Sequence, residues 1–246
     1  MKALAERILL HAGPAAVSRR SHRKRGLVLA YHNIVPDGES LVGDESLHLP
    51  CRRFVEQLDV LSDEAIRVVS LDELTGVTGE PEVVEPRRRV AITFDDAYRG
   101  AMQAGVKELV RRDLPATVFV VPGLLGDRTF WWDALSATDA GLIDGARTEA
   151  LEVARGRNEE VIAWARRSGL PLGEVPEHAR SATEAELRSA TLHDGIEIAS
   201  HTWSHANLAR LTEEECRVDI ARAAEWLQQR FEEDPRWLSY PYGLHS

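Results

Sequence analysis

Two pairs of polar residues follow two apolar segments of the sequence, and their side chains are of the types that bind catalytic metal ions. Asp95 and Asp96 come directly after the apolar residues 90–94, and His201 and His205 follow a second such segment at 195–200. One carboxylate and two imidazoles form a complete protein ligand set for a divalent metal that keeps positions open for water and substrate. The other aspartate would be available as a base. This pattern indicates metal-assisted hydrolysis.

Each half of the pattern also has a structural interpretation when it is considered alone. Aspartate is a favoured residue at the start of a helix, although capping one helix needs only one of Asp95 and Asp96. Spacing of i and i+4 places His201 and His205 on one face of a helical turn, but this spacing also occurs by chance on helix surfaces. The two halves together favour the metal site. Trp203, between the histidines, suits either a packed wall or a platform for a sugar.

An alternation of strands and helices would position these residues. Apolar, β-branched segments predict strands at residues 27–31, 67–70, 90–94, 116–121, 196–200 and 237–240. Helices are predicted at 51–61, 100–112 and 213–231, and the last one opens with a capping-box sequence at 212–215. Such an alternation predicts an α/β fold with a parallel sheet that is closed or nearly closed into a barrel. Residues at the carboxyl ends of its strands would meet in one crevice.

The motifs resemble those of a known family. Thr-Phe-Asp-Asp at 93–96 and His-Thr-Trp-Ser-His at 201–205 are similar to the first two motifs of the polysaccharide deacetylases, carbohydrate esterase family 4, and Tyr-Pro-Tyr-Gly at 240–243 is similar to the third. The resemblance extends from about residue 27 to residue 243 and implies a distorted (β/α) barrel. It implies three ligands of one metal, most plausibly zinc, with cobalt, nickel or iron as alternatives: Asp96, His201 and His205. It also implies that Asp95 is the general base and that the Tyr242 backbone N–H binds the oxyanion.

Candidate substrate contacts are His32, Trp203 and Pro241. His32 follows the first predicted strand, where it would reach either the site rim or the core. Residues 123–192 interrupt the alternation, and we expect a largely helical insertion that covers the mouth of the site. Trp131 and Trp132, within it, would either pack in that insertion or stack on sugar rings.

Two features depart from the family pattern. Ser239 stands where many members have arginine, and the later aspartate and Leu-x-His motifs, the last of which supplies a general acid, are not found before Ser246. His245 is too close in sequence to Tyr242 to take that role readily. We therefore expect a C-terminally truncated catalytic domain, at residues 27–246, with an open barrel edge.

Composition limits the class of protein. The chain has 246 residues, 43% of them hydrophobic, and a net charge of -10 that argues against a nucleic-acid partner. Its two cysteines fit no disulfide framework. Residues 1–26 form a leader without a secretory pattern, which predicts a cytoplasmic protein, and no segment predicts an integral membrane helix. Its basic residues 19–25 predict at most a weak membrane-surface contact.

Three functions stay open from the sequence. The favoured one is a metal-dependent enzyme that removes N-acetyl groups from an amino sugar of a polysaccharide or glycan precursor. The second is a catalytically silent homologue that binds metal and carbohydrate, because the general acid motif is missing. The third is a metallohydrolase of another amide or ester. The sequence does not specify the sugar, because loops determine the selectivity of the pocket.

Overall fold

The computed structural model describes residues 26–77, 88–138, 145–232 and 235–244. Three predicted features lie outside the described residues. They are residues 1–25 of the predicted leader, the basic cluster at 19–25 within it, and His245. Within the described ranges, the strands are Leu27–Tyr31 (β1), Asn33–Val35 (β2), His48–Pro50 (β3), Arg67–Val68 (β4), Arg89–Phe94 (β5), Ala116–Val120 (β6) and Ile196–Ser200 (β7).

The main sheet is parallel, with the strand order β1-β5-β6-β7, and β4 pairs with the start of β5. Central strand β5 is buried from Val90 to Phe94, because its apolar residues are covered on both faces, as in most parallel sheets. The α/β prediction is therefore confirmed. Among the described residues, the path from β1 to β7 does not close into a barrel.

Helices surround this sheet. They are Cys51–Asp63 (α1), Leu71–Thr75 (α2), Lys107–Arg111 (α3), Trp131–Ser136 (α4), Ala146–Glu152 (α5), Asn158–Arg167 (α6), Glu184–Thr191 (α7) and Glu213–Phe231 (α8). Helix α2 contacts β5, whereas α7 and α8 contact β7. Helices α4 to α7 fall in residues 123–192, the segment for which helices were expected. No helix among the described residues is both long enough and apolar enough to cross a bilayer.

Several predicted elements differ in detail from the structure, and the strand predicted at 67–70 is shorter, at Arg67–Val68. The helix predicted at 100–112 starts as a π-helix at Ala101–Val106 before it continues as α3. This π-helix packs closely on β2 and β5, since a Cβ added at Gly105 would lie 2.9 Å from Ile34 and 3.0 Å from Phe94. The strand predicted at 237–240 is present as a single parallel bridge between Leu238 and Ser200. Because Ser200 is the last residue of β7, this bridge places the Tyr-Pro-Tyr-Gly motif beyond the carboxyl end of that strand.

Candidate metal centre

Three buried side chains converge where β5 and β7 end. Nε2 of His205 lies 2.9 Å from Oδ1 of Asp96, and Nε2 of His201 lies 3.4 Å from the same oxygen. One potential ligand atom from each residue lies within 4.8 Å of the others. The register of the parallel sheet explains the convergence, because β6 pairs with both β5 and β7 and so aligns their carboxyl ends.

The contacts within this cluster are those of ligands rather than of hydrogen-bonded partners. Oδ1 of Asp96 is buried and has no hydrogen-bond partner in the described part of the chain, although two imidazole nitrogens lie near it. Nδ1 of His205 is also buried without such a partner among those residues. Unsatisfied buried polar atoms are costly, and a cation bound between these side chains would satisfy the Asp96 oxygen. The donor set of one carboxylate and two imidazoles fits a divalent metal.

The hydrogen bond of His201 leaves its other nitrogen facing the cluster. Nδ1 of His201 donates to the backbone carbonyl of Ser239 at 2.9 Å, so the Nε2 lone pair points toward Asp96. Histidine ligands of metals commonly donate their second N–H to a carbonyl in this way, which fixes the tautomer and the ring orientation. Ser239 thus orients one member of the cluster through its backbone.

Burial and neighbouring charges act oppositely on these groups. Burial disfavours the Asp96 carboxylate, but the two histidines outweigh it and hold the pKa of Asp96 far below its usual range. At His201 burial opposes the imidazolium, yet the nearby carboxylates of Asp96 and Asp95 raise the pKa of His201. At His205 burial prevails and lowers the pKa. The cluster therefore carries a fixed negative charge and at least one neutral imidazole near pH 7, which suits a cation.

Asp95 lies beside the cluster but is not a member of it. Its carboxylate accepts a hydrogen bond from the Ser239 hydroxyl at 3.1 Å, and its backbone N–H donates to the Tyr31 carbonyl at 2.8 Å. The second contact ties the end of β5 to the end of β1. Ser239 therefore contacts both Asp95 and, through its carbonyl, His201. This serine stands where the sequence departed from the commoner arginine of the family.

The cluster opens into a cavity of about 480 Å³ that is lined in part by His32, Asp95, Arg147 and Ser239. Volumes of this order are typical of small-molecule sites. His32 therefore lies at the site, which is one of its two predicted positions, and not in the core. Arg147, on α5, also pairs with Asp44 at 3.2 Å.

An aromatic wall closes one side of this cavity. The hydroxyl of Tyr242 accepts a hydrogen bond from Trp131 Nε1 at 2.9 Å and donates to the Gly156 carbonyl at 2.8 Å. The Tyr242 ring lies 4.6 Å from that of His205, and the Trp132 ring lies 4.9 Å from it. Both tryptophans are buried, so they pack in the helical segment and at the same time line the cavity.

Two predicted substrate contacts lie elsewhere. Trp203 does not line the cavity; the Arg222 guanidinium covers its ring at 3.8 Å, and its carbonyl accepts from the Gly123 N–H at 3.0 Å. The ring of Trp203 therefore packs against helix α8, outside the lining of this cavity, and its role as a sugar contact stays a prediction. Pro241 is buried and is not part of the lining, although its neighbour Tyr242 is.

A buried polar network behind the wall escaped the sequence analysis. Asp133 is fully buried and accepts from the Tyr98 hydroxyl at 2.6 Å and from His48 Nε2 at 2.8 Å. The Tyr98 oxygen also accepts from Trp132 Nε1 at 2.6 Å, and the Trp132 ring packs on His205. These contacts join residues that are far apart in the chain, so local sequence patterns do not predict them.

Comparisons with known proteins identify the family of this chain. The profile of the family described as polysaccharide deacetylase matches residues 82–246, more than half of the chain. YxkH of Bacillus subtilis strain 168, a protein assigned to the polysaccharide deacetylases, is 20% identical over 220 residues, which cover 89% of this chain. The chain spans 57% of the length of that relative.

Solved structures share the fold at low sequence identity. IcaB from Ammonifex degensii is similar with a TM-score of 0.61 and 19% identity, over 90% of this chain and 76% of IcaB. PplD from Streptococcus pyogenes, solved with acetate, has a TM-score of 0.59 and 16% identity, over 89% of this chain and 75% of PplD. A de-N-acetylase from Aggregatibacter actinomycetemcomitans has a TM-score of 0.59 and 19% identity, over 90% and 81% of the two chains.

The fold and the site together define an α/β protein with a candidate metal centre at the carboxyl edge of a parallel sheet. The family profile identifies it further: the chain belongs to the polysaccharide deacetylase family. The resemblance inferred from the motifs at 93–96, 201–205 and 240–243 is thereby confirmed.

Proposed function

We propose that this protein is a metal-dependent hydrolase that removes N-acetyl groups from an amino sugar of a polysaccharide or glycan precursor. The observation that carries the proposal is the convergence of Asp96, His201 and His205 beside a separate carboxylate, Asp95, in one cavity. A ligand set and an adjacent base in one cavity are the parts that metal-assisted hydrolysis requires. Family membership supports the same chemistry.

Asp96, His201 and His205 would hold the cation, and zinc suits this N/O donor set best, with cobalt, nickel or iron as alternatives. When bound there, such a metal supplies Lewis acidity, which lowers the pKa of a water and polarises a carbonyl. Asp95 would accept the proton of the attacking water as general base. The Ser239 hydroxyl, which donates to Asp95 Oδ2 at 3.1 Å, would keep that carboxylate oriented.

Tyr242 would stabilise the developing oxyanion through its backbone N–H. Its φ of 59° is uncommon for a residue with a side chain, and strained backbone of this kind is often found at functional sites. The Tyr242 side chain is held by Trp131 and by the carbonyl of Gly156. These two hydrogen bonds would keep the backbone at this position rigid.

His32 is the group that we propose as proton donor to the leaving amine. It lines the same cavity as Asp95 and Asp96. It lies outside the cluster that can hold the metal, so its imidazole would be available for proton transfer. This assignment supplies an acid without His245.

The names of two structural neighbours favour an N-acetyl substrate. One neighbour is a de-N-acetylase, and PplD was solved with acetate, which would be the product of deacetylation. Because their sequence identity to this chain is low, we infer the substrate class from the family and from the site together.

Acetate release from N-acetylated oligosaccharides tests the proposal. The metal-loaded protein should release acetate from such oligosaccharides faster than from acetylated xylan or from small amides. The Asp95→Asn variant should release almost no acetate from the same oligosaccharides. Faster hydrolysis of the xylan ester would favour an esterase. Stoichiometric metal binding without hydrolysis of any of these substrates would favour a silent homologue.

A further inference from the structure

The loop that joins the two histidine ligands has an uncommon backbone conformation. Thr202 and His205 have φ values of 65° and 54°. Residues with side chains seldom adopt such angles, so neighbouring groups must stabilise them. The Thr202 hydroxyl accepts a hydrogen bond from the His205 N–H at 3.2 Å, which stabilises the end of the loop. The N–H groups of Trp203 and Ser204, in the middle of the loop, need other acceptors.

Asp219, on helix α8, supplies those acceptors. Its Oδ1 accepts from the Trp203 N–H at 2.8 Å and from the Ser204 N–H at 3.1 Å, and its Oδ2 accepts from the Ser204 hydroxyl at 2.5 Å. Asp219 as a whole residue is 8% exposed. Three donors from one loop therefore converge on one buried charge, and hydrogen bonds to a charged acceptor are stronger than those between neutral groups.

The ring of Trp203 fastens the same loop to the same helix. Arg222, one turn after Asp219 on α8, stacks its guanidinium 3.8 Å from the centre of the Trp203 ring. A third segment also contacts this loop, because the Gly123 N–H donates to the Trp203 carbonyl at 3.0 Å. A Cβ at Gly123 would lie 2.4 Å from that carbonyl oxygen, so the contact depends on glycine. The backbone between the ligands is thus held by contacts with both helix α8 and the segment at Gly123.

We propose that Asp219 is a positioning residue for the metal centre, which holds the 202–204 backbone so that His201 and His205 converge on Asp96. The Ser239 carbonyl fixes the ring of His201, but the described residues include no acceptor for Nδ1 of His205. The orientation of His205 therefore depends on its loop and on the Trp132 and Tyr242 rings that pack against it. Asp219 acts through that loop and not as a ligand, since it is not part of the cluster within 4.8 Å.

This inference rests on the proposed metal dependence, and its test does not need catalysis. The affinity for Zn²⁺ is measured by competition with a chromophoric chelator, and the visible spectrum of the Co²⁺-loaded protein reports ligand geometry. Asp219→Ala should weaken Zn²⁺ binding by about 10- to 100-fold, the usual effect of losing a group that orients a ligand, and should change the Co²⁺ spectrum. Asp219→Asn, which keeps one acceptor oxygen, should lose less.

Glu225→Gln is the matched control, because it removes one negative charge from an exposed position of the same helix. It should change Zn²⁺ affinity by less than about twofold and leave the Co²⁺ spectrum unchanged. Wild-type affinity and an unaltered spectrum in folded Asp219→Ala would overturn the proposal.

Hydrogen exchange gives a readout that depends neither on metal nor on the folding of the alanine variant. The amide protons of Trp203 and Ser204 should be protected in the metal-free wild-type protein and should exchange faster in Asp219→Asn. Rapid exchange at both amides in the wild-type protein would contradict the proposal. If the wild-type protein bound no metal, the proposed function would fail, and this exchange measurement would decide the role of Asp219.

Discussion

The hydroxyl of Tyr242 donates to the carbonyl of Gly156 at 2.8 Å, so the motif at the end of the chain is bonded to a loop between helices α5 and α6. The ring lies so close that a Cβ added at Gly156 would be 2.6 Å from Tyr242 Cε2. The helical segment therefore does more than cover the cavity, because it also sets the position of Tyr242 beside His205.

Gly156→Ala should displace Tyr242 and reduce kcat/KM by about 10- to 100-fold, since small misplacements of catalytic groups are costly. Gly169→Ala is the matched control. The two glycines have φ values of 69° and 68°, but a Cβ at Gly169 would meet nothing within 4 Å. Both variants should lose about 1 kcal/mol of stability to the positive φ. Thermal unfolding and acetate-release kinetics separate the two effects, and an equal loss of activity in both variants would contradict the role of the Tyr242 contact.

The two adjacent aspartates should respond differently to the same substitution. Asp95→Asn should lower turnover by about 10²- to 10⁴-fold while metal content stays near that of the wild-type protein, because an amide cannot accept the proton of the attacking water. Asp96→Asn should weaken metal binding itself, because the cluster loses its charged ligand. Elemental analysis and acetate release on both variants check this. The opposite pattern would exchange the two roles.

The role of His32 should depend on the leaving group. An amine must be protonated as it leaves, whereas 4-nitrophenolate need not be. His32→Gln should therefore slow release from an N-acetyl sugar by about 10²- to 10⁴-fold and hydrolysis of 4-nitrophenyl acetate by less than about tenfold. The ratio of the two rates, measured with the same metal-loaded sample, is the readout. An equal loss on both substrates would assign His32 to substrate binding.

His178 should make stability depend on pH. Its Nδ1 accepts from Asn33 Nδ2 at 3.0 Å, and burial lowers the pKa of His178 below its ordinary value of 6.5. The unfolded chain then takes up a proton that the folded protein does not, so the contribution is present above about pH 6.5 and is lost as the pH falls toward the lowered pKa.

Urea denaturation between pH 7.5 and about 5 measures this contribution. The wild-type protein should lose up to about 1.4 kcal/mol per pH unit more than His178→Gln below pH 6.5. His193→Gln, at an exposed histidine, is the control. Identical pH dependence of the wild-type protein and His178→Gln would show that His178 does not act in this way.

Much of the scaffold was predictable because it depends on local patterns. Strands β1 and β7 lie where alternating or continuous apolar residues place them, and helix α8 starts after Thr212, whose capping box is present as predicted. The approach of Asp96 to His201 and His205 followed from a general property of parallel sheets, that the carboxyl ends of neighbouring strands share an edge.

The rest depended on packing between distant segments. From the sequence, Trp203 suited either a packed wall or a platform for a sugar. In the structure its ring packs against Arg222 and its carbonyl accepts from Gly123, and both of these residues lie in other segments. The contact between Asp133 and Tyr98 spans 35 residues, and neither residue carries a pattern that predicts the other. Side-chain orientation is set by such tertiary contacts, which periodicity and propensity do not encode.

A metal titration of the metal-free protein tests the central claim most directly. Zn²⁺ is added in increments below one equivalent while acetate release from an N-acetylated oligosaccharide is measured at each step. The account predicts almost no release at the start, a linear rise, and a plateau at one Zn²⁺ per chain, with no rise in the Asp96→Asn variant over the same range. Full acetate release before any metal is added, or a rate that does not depend on the amount of Zn²⁺, would contradict it.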